Sequence, residues 1–269
     1  MTTTPDLLEA IVAATRRDLD VRRAALAEEA IERAAWSARL PRGEAFAAAL
    51  ARPGTVNLIA ECKRRSPSRG VLKTDYDPVA QAMAYARGGA AAVSVLTEPA
   101  FFDGALDHLA RVRTAIDLPI LRKDFLVDPY QLYEARVAGA DAVLLIVAAL
   151  DQAGLTRLLA EAHQLGLAAL VEVHDDRDLD RALAAGATVI GVNNRSLRTL
   201  AVDLDVSARL AARLPAGVTA VSESGVGSAA DLRRLAALGY QAFLVGERLM
   251  TATDPEADLR ALCRAGAAA

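Results

Sequence analysis

Two hydrophobic rhythms divide the chain. Over the first ~50 residues apolar positions recur at helical spacing. Leu7, Ile11 and Ala14 line one face with Leu8, Val12 and Thr15, while Arg and Asp take the other. Pro41-Arg42-Gly43 and Pro53-Gly54 punctuate this stretch. From Val56 onward short apolar runs alternate with amphipathic segments. The short runs read as buried strands and the segments between them as helices. Strands are predicted near 56–62, 91–96, 118–122, 141–147, 168–173, 188–193, 218–223 and 241–245.

One phrase recurs along this alternation: a helix end, a glycine, a small residue, then a β-rich run. It occurs at Gly89, Gly139, Gly186 and Gly239, spaced 50, 47 and 53 residues apart. A glycine just past a helix end takes the left-handed conformation that turns the chain back towards a sheet. Two strand–helix units fit in each interval. Eight such units over ~210 residues match a closed (β/α)8 TIM barrel of the α/β class. Residues 1–50 then form an N-terminal helical extension and residues 55–265 the barrel, within one domain spanning 1–269. An open dinucleotide-binding sheet fits less well, because no GxGxxG follows the first strand.

Composition narrows the partners. With 269 residues, 53% of them hydrophobic, the chain can bury a large core. A net charge of -3 and the lack of a long basic run argue against nucleic acid. Cys62 and Cys263 lie far apart, and the three histidines form no HExxH. No disulfide framework and no metal site are therefore expected. Met1 to Ala14 carries Asp6 and Glu9 and lacks the basic start of a signal peptide. The longest apolar run, Ala142 to Leu150, is shorter than the ~18 residues of a spanning helix. A cytoplasmic protein with no membrane partner is expected.

In such a barrel, chemistry sits where strands end. The first strand ends in Glu61-Cys62-Lys63. Side chains alternate along a strand, so Glu61 and Lys63 share the inner face and Cys62 points outward. An inward Glu and Lys are either a structural ion pair or functional groups. The loop Arg64 to Gly70 is basic and turn-forming and suits an anion. The third strand ends in Leu121-Arg122-Lys123-Asp124-Phe125. Lys123 faces inward, Asp124 is placed to orient it, and a lysine desolvated beside an aromatic is expected to have a lowered pKa. The fifth strand ends in Glu172, a candidate acid or base, and His174 follows as a loop or helix-start residue. The sixth runs into Gly191, which makes room, then Asn193 and Arg195, whose guanidinium could fork a carboxylate. After the seventh and eighth strands come Ser222-Glu223-Ser224-Gly225 and Gly246-Glu247. Glycine and serine turns leading into helix starts suit a phosphate grip there.

These motifs, in this order, resemble the indole-3-glycerol phosphate synthase family. The likeness rests on Ile59 to Ser68, Ser94 to Glu98 with Phe101 to Gly104, Leu121 to Phe125, Val171 to Val173, Gly191 to Arg195, Ser222 to Gly225 and Leu244 to Glu247. It covers about residues 5 to 265. The resemblance implies a cofactor-free lyase of tryptophan biosynthesis acting on a small phosphosugar–anthranilate substrate. That substrate, 1-(2-carboxyphenylamino)-1-deoxyribulose 5-phosphate, would become indole-3-glycerol phosphate, carbon dioxide and water. Lys123 would be the general acid and Glu172 the acid/base partner in dehydration. Glu61 and Asn193 would orient the lysine and the substrate hydroxyls. Lys63 would neutralise the substrate carboxylate, the phosphate, or both in turn. Ser66, Ser224, Gly225, Gly246 and the N–H of Glu247 would hold the phosphate, with Glu223 and Arg195 in the substrate-binding set. Phe102, Phe125 and Leu145 would wall the anthranilate ring. A monomer or weak homodimer is expected.

Two positions depart from the family pattern. Many relatives carry Ser where this chain has Glu247, so the Glu247 side chain is expected to turn away and leave only its N–H. Cys62 stands where relatives carry a bulkier apolar residue. Phosphoribosylanthranilate isomerase needs a cysteine base that this mouth lacks, and a tryptophan synthase α chain would not explain Lys63 and Lys123. A silent phosphometabolite-binding barrel would have lost a lysine or glutamate. A paralogue serving an indole-containing secondary metabolite would keep every motif.

Overall fold

The computed structural model describes residues 6–267, with side chains placed as far as 264. Three helices come first: α1 (Leu7–Ala25), α2 (Glu28–Ser37) and α3 (Gly43–Leu50). Eight strands follow: β1 (Asn57–Cys62), β2 (Ala92–Leu96), β3 (Ile120–Lys123), β4 (Ala142–Ile146), β5 (Ala168–Val173), β6 (Val189–Asn193), β7 (Thr219–Glu223) and β8 (Ala242–Val245). Each pairs in parallel with its neighbours in chain order, and β8 closes against β1 from Asn57–Ala242 to Ala60–Val245. The third strand starts two residues later than expected. Pro119 has no N–H to give a ladder, and the Asp141 carboxylate takes the Ile120 N–H at 3.1 Å.

Helices α4 (Pro78–Gly88), α6 (Leu106–Ala115), α7 (Pro129–Val137), α8 (Gln152–Gln164), α9 (Asp176–Ala184), α10 (Asp205–Ala211), α11 (Ala229–Ala237) and α13 (Pro255–Ala267) lie between and after the strands. Two short helices, α5 (Pro99–Phe102) and α12 (Glu247–Thr251), directly follow β2 and β8. Asp77, Asp128, Asp151, Asp175 and Ser228 cap their helices by accepting first-turn N–H groups. The four recurring glycines all sit at left-handed angles, with φ from 85° to 99°. The loop after β1 carries a small antiparallel ribbon, Arg65–Ser66 against Gly70–Val71, which the strand pattern does not anticipate.

Alternation along the strands builds two cores. Ile59, Leu121, Leu144, Leu170, Val221 and Leu244 fill the barrel, with Phe46 and Leu50 of α3 closing its amino end. Leu58, Val93, Ile120, Val143, Leu145, Val171 and Phe243 pack between strands and helices. Each fully buried side chain of this size contributes about 1.5–3 kcal/mol. Cys62 lies in the outer core as expected.

The extension is pinned at two places. Asp141, fully buried, accepts from Arg39 (2.9 Å), the Arg42 N–H (2.8 Å), Arg113 (2.9 Å) and the Ile120 N–H. This fixes the α2–α3 connection beneath the barrel. On α7, Glu134 pairs with Arg22 at 2.7 Å, and Asp128 pairs with Arg23 at 2.6 Å. These contacts lay α1 along the carboxyl end, where Ile11 joins the inner core. No helix of the described residues is long and apolar enough to cross a membrane.

Candidate active site

A cavity of about 780 Å³ opens at the carboxyl ends of the strands. Strand alternation delivers its charges. Glu61, Lys123, Glu172, Asn193 and Glu223 occupy inward positions on five different strands, and Lys63 follows β1 on the same face. At the centre, the Lys123 ammonium donates to Glu172 Oε2 at 3.0 Å and to Glu223 Oε2 at 2.9 Å. Beside it, Lys63 donates to Glu61. Two glycines make this crowding possible. A Cβ on Gly191 would stand 2.0 Å from Glu223 Oε1, and one on Gly246 would stand 2.2 Å from Glu61 Oε2.

The electrostatics differ from the sequence expectation at Lys123. Burial alone would lower its pKa, but Glu172, Glu223 and Glu61 outweigh burial and hold it well above that of an ordinary lysine. It is therefore charged at neutral pH. Asp124 does not orient it. That carboxylate bonds to Arg122 at 2.9 Å and to Thr97 at 2.6 Å on the outer side of β3. The two carboxylates on Lys123 part company. Burial pushes Glu223 upward, Lys123 opposes it and Glu172 reinforces it, with a result of about 7. Burial would raise Glu172 too, but Lys123, His174 and a hydrogen bond from Asn193 lower it below the usual carboxylate range.

The cavity's ends are built by loops. Glu98 accepts the N–H groups of Ala100, Phe101 and Phe102 at 2.7–3.1 Å, which fixes α5 and with it Phe102. The Phe102 and Phe125 rings stand 6.1 Å apart. After β7, Ser224 (φ 62°) and Gly225 (φ 81°) are successively left-handed. Asn194 braces this turn, donating to the Glu223 carbonyl at 2.9 Å and accepting the Ser207 N–H at 3.0 Å. Ser66, buried in the β1 loop, accepts the Arg69 N–H at 3.2 Å and faces the same cavity.

A family profile described as indole-3-glycerol phosphate synthase matches residues 8–262. The chain belongs to the indole-3-glycerol phosphate synthase family. It is 50% identical over 260 residues to the indole-3-glycerol phosphate synthase of Mycolicibacterium smegmatis, covering 97% of this chain and 94% of that one. To indole-3-glycerol phosphate synthase 2 of Streptomyces coelicolor it is 52% identical, covering 95% of this chain and 98% of that one. Among solved structures, 3-hexulose-6-phosphate synthase from Salmonella typhimurium superposes with a TM-score of 0.63 at 15% identity, covering 78% of this chain and 98% of that one. Thiamine phosphate pyrophosphorylase from Pyrococcus furiosus superposes at 0.60 and 17%, covering 78% and 95%. The structural likenesses show the barrel fold.

Against the family's motifs, most of the expected residues converge on this one cavity, Arg195, Gly246 and Glu247 among them. Two further expectations, for Leu145 and Glu247, are corrected. Leu145 is fully buried in the outer core; Leu144 and Ile146, one residue to either side, line the cavity. Glu223, expected in the substrate-binding set, lines the cavity at its floor beside Lys123, 1% exposed. Glu247 does not turn away. Its carboxylate lies over the cavity, 2.9 Å from Arg69 and 3.6 Å from Arg195. The pattern also missed Leu7 and Ile11 of α1, which complete the wall. It left His174 without a role, although its Nε2 lies 3.4 Å from Glu172 Oε1.

Proposed function

We propose that this cavity converts 1-(2-carboxyphenylamino)-1-deoxyribulose 5-phosphate into indole-3-glycerol phosphate, carbon dioxide and water, the reaction of the family. One observation carries the assignment of roles: a lysine held between two buried carboxylates, in a cavity that also holds a left-handed Ser-Gly turn. Ring closure needs a proton on the carbonyl oxygen as the new carbon–carbon bond forms. Lys123, central and protonated, supplies it. Carbon dioxide then leaves and restores the aromatic ring. Loss of the hydroxyl as water needs a proton delivered to oxygen and another removed from the ring being formed. Glu172, ionised and 3.0 Å from Lys123, is the group for that exchange.

The remaining residues bind and orient. Glu61 fixes Lys63 beside Gly246, where the ammonium meets the substrate carboxylate, the phosphate, or both in turn. Asn193 holds Glu172 and reaches the substrate hydroxyls. Ser66, Ser224, Gly225, Gly246 and the N–H of Glu247 form the phosphate grip. Phe102 and Phe125, with Leu144 and Ile146 in place of Leu145, wall the anthranilate ring. Arg195 takes the carboxylate once Glu247 yields it. Glu223 tunes Lys123. Residues 1–269 act as one domain in the cytoplasm, as a monomer or weak homodimer, without a cofactor. Incubating pure protein with the substrate and following indole fluorescence tests the reading; no fluorescence from folded protein overturns it.

A further inference from the structure

The two carboxylates on Lys123 are equivalent by burial and by distance, yet the base role is assigned above to Glu172 alone. Glu172 is 1% exposed and 3.0 Å from the ammonium; Glu223 is 1% exposed and 2.9 Å from it. The difference lies in their other partners: Asn193 also bonds to Glu172, and the remaining oxygens meet unlike surroundings. Glu223 Oε1 has no hydrogen-bond partner among the described residues. Glu172 Oε1 instead faces His174 Nε2 at 3.4 Å. The opposite ring nitrogen, Nδ1, lies 3.6 Å from Asp178 Oδ2.

The imidazole is thus placed between two carboxylates. Its side chain is 16% exposed, and neither ring nitrogen has a bonded partner among the described residues. Buried polar atoms left unbonded are costly, and a small ring rotation would give each nitrogen an acceptor. A neutral imidazole could donate to only one carboxylate, whereas an imidazolium donates to both. The far carboxylate is fixed in place. Asp178 is the third residue of α9; its N–H donates to the capping Asp175 at 2.8 Å, and its carboxylate accepts the His174 N–H at 3.2 Å.

We propose that His174 is a positioning residue for Glu172: as an imidazolium bridging Glu172 and Asp178, it fixes the Glu172 rotamer, keeps it ionised, and so assigns the base role to Glu172 rather than Glu223. This rests on the reading of Glu172 as the acid/base group. The groups that bear on the ring are Glu172 on β5, Asp178 on α9 with Arg181 4.0 Å beyond it, and Glu223 on β7. Burial disfavours the charged ring, but Asp178, Glu172 and Glu223 outweigh burial and raise its pKa above 6.5. The bridge is therefore present below that raised value and is lost as pH rises through it. Above it Glu172 loses one of its two cationic neighbours.

The test is a series at position 174 with pH profiles. In His174→Ala, kcat at pH 7 falls about tenfold to a hundredfold, as expected for a misaligned reacting group, while KM stays within about threefold. The alkaline limb set by His174 disappears from its profile. His174→Gln still offers an N–H to Glu172 and recovers part of kcat. Asp178→Asn lowers the His174 titration midpoint in histidine-labelled NMR spectra, where the resonance is assigned by its absence from His174→Gln. An unchanged kcat in His174→Ala overturns the proposal, and so does a reduced kcat with an unmoved pH profile. Should the alanine variant not fold, unaltered profiles in both His174→Gln and Asp178→Asn overturn it equally. Glu172→Gln separates the two levels. If that variant still turns over, the role given to Glu172 has failed. If it is dead while the position-174 series is flat, only the present inference has failed.

Discussion

The barrel buries charge at both ends, and the two clusters are built on opposite terms. At the amino end, Asp141 meets the guanidiniums of Arg39, Arg42 and Arg113 and two backbone N–H groups. Every lone-pair direction of that carboxylate is used, and the cluster joins α2, α3, α6 and the start of β4. At the carboxyl end, one ammonium serves two carboxylates, and Glu223 Oε1 is left unbonded beside an open cavity. A saturated cluster has one protonation state and supports structure. An undersupplied cluster has several of similar energy, which is what proton transfer requires.

The sharpest way to break this contrast is to remove the shared ammonium. Lys123→Met should cut turnover by about two to four orders of magnitude, the reach of general acid catalysis. Affinity for inorganic phosphate should stay within about tenfold, near 1.4 kcal/mol. Turnover close to wild type would end the acid assignment. The matching experiment at the other end is Asp141→Ala. Removing the counter-charge of Arg39, Arg42 and Arg113 there should cost about 3–5 kcal/mol in a denaturant titration. The kcat of the folded fraction should barely change, and a large loss of kcat with intact stability would erase the distinction between the clusters.

A smaller effect separates wall from core on β4. Leu145→Ala should lower stability by about 2–4 kcal/mol and leave KM untouched. Leu144→Ala, one residue earlier, should raise KM. The smallest effect concerns Glu223→Gln. The wild-type pH profile of kcat/KM should show a step near pH 7 from Glu223, and this variant should lack it. Stability follows the same group with a definite sign. Its folded value is raised, so the benefit of neutral Glu223 is complete below about pH 4.5 and is lost as pH rises through about 7. The Gln variant should therefore gain stability relative to wild type across that interval.

Much of this was legible in the alternation of the strands. That rule places Glu61, Lys63, Lys123, Glu172 and Asn193 on the inner face and Cys62 on the outer, and the structure agrees. Applied to β4 and β7, the same rule would have moved Leu145 outward and Glu223 inward, since Ala142, Leu144 and Ile146 share a face and so do Thr219, Val221 and Glu223. What alternation cannot supply is the partner of a charge. Lys123 reads as a desolvated lysine from its own strand alone. Its raised pKa comes from Glu172 and Glu223, 49 and 100 residues away in sequence. Glu247 is a similar case, because the arginines that hold it lie on the loops after β1 and β6.

Helix α1 precedes every strand in the chain, yet Leu7 and Ile11 finish the wall of a chamber built on the strand ends. Its seat consists of residues from α5, the turn after β4 and α7, so it cannot dock before those segments exist. The segment made first is therefore obliged to wait for the first four strands, though not for the last four. Undocking α1 would therefore open one side of the chamber at Leu7 and Ile11 while leaving every strand pair of the barrel in place.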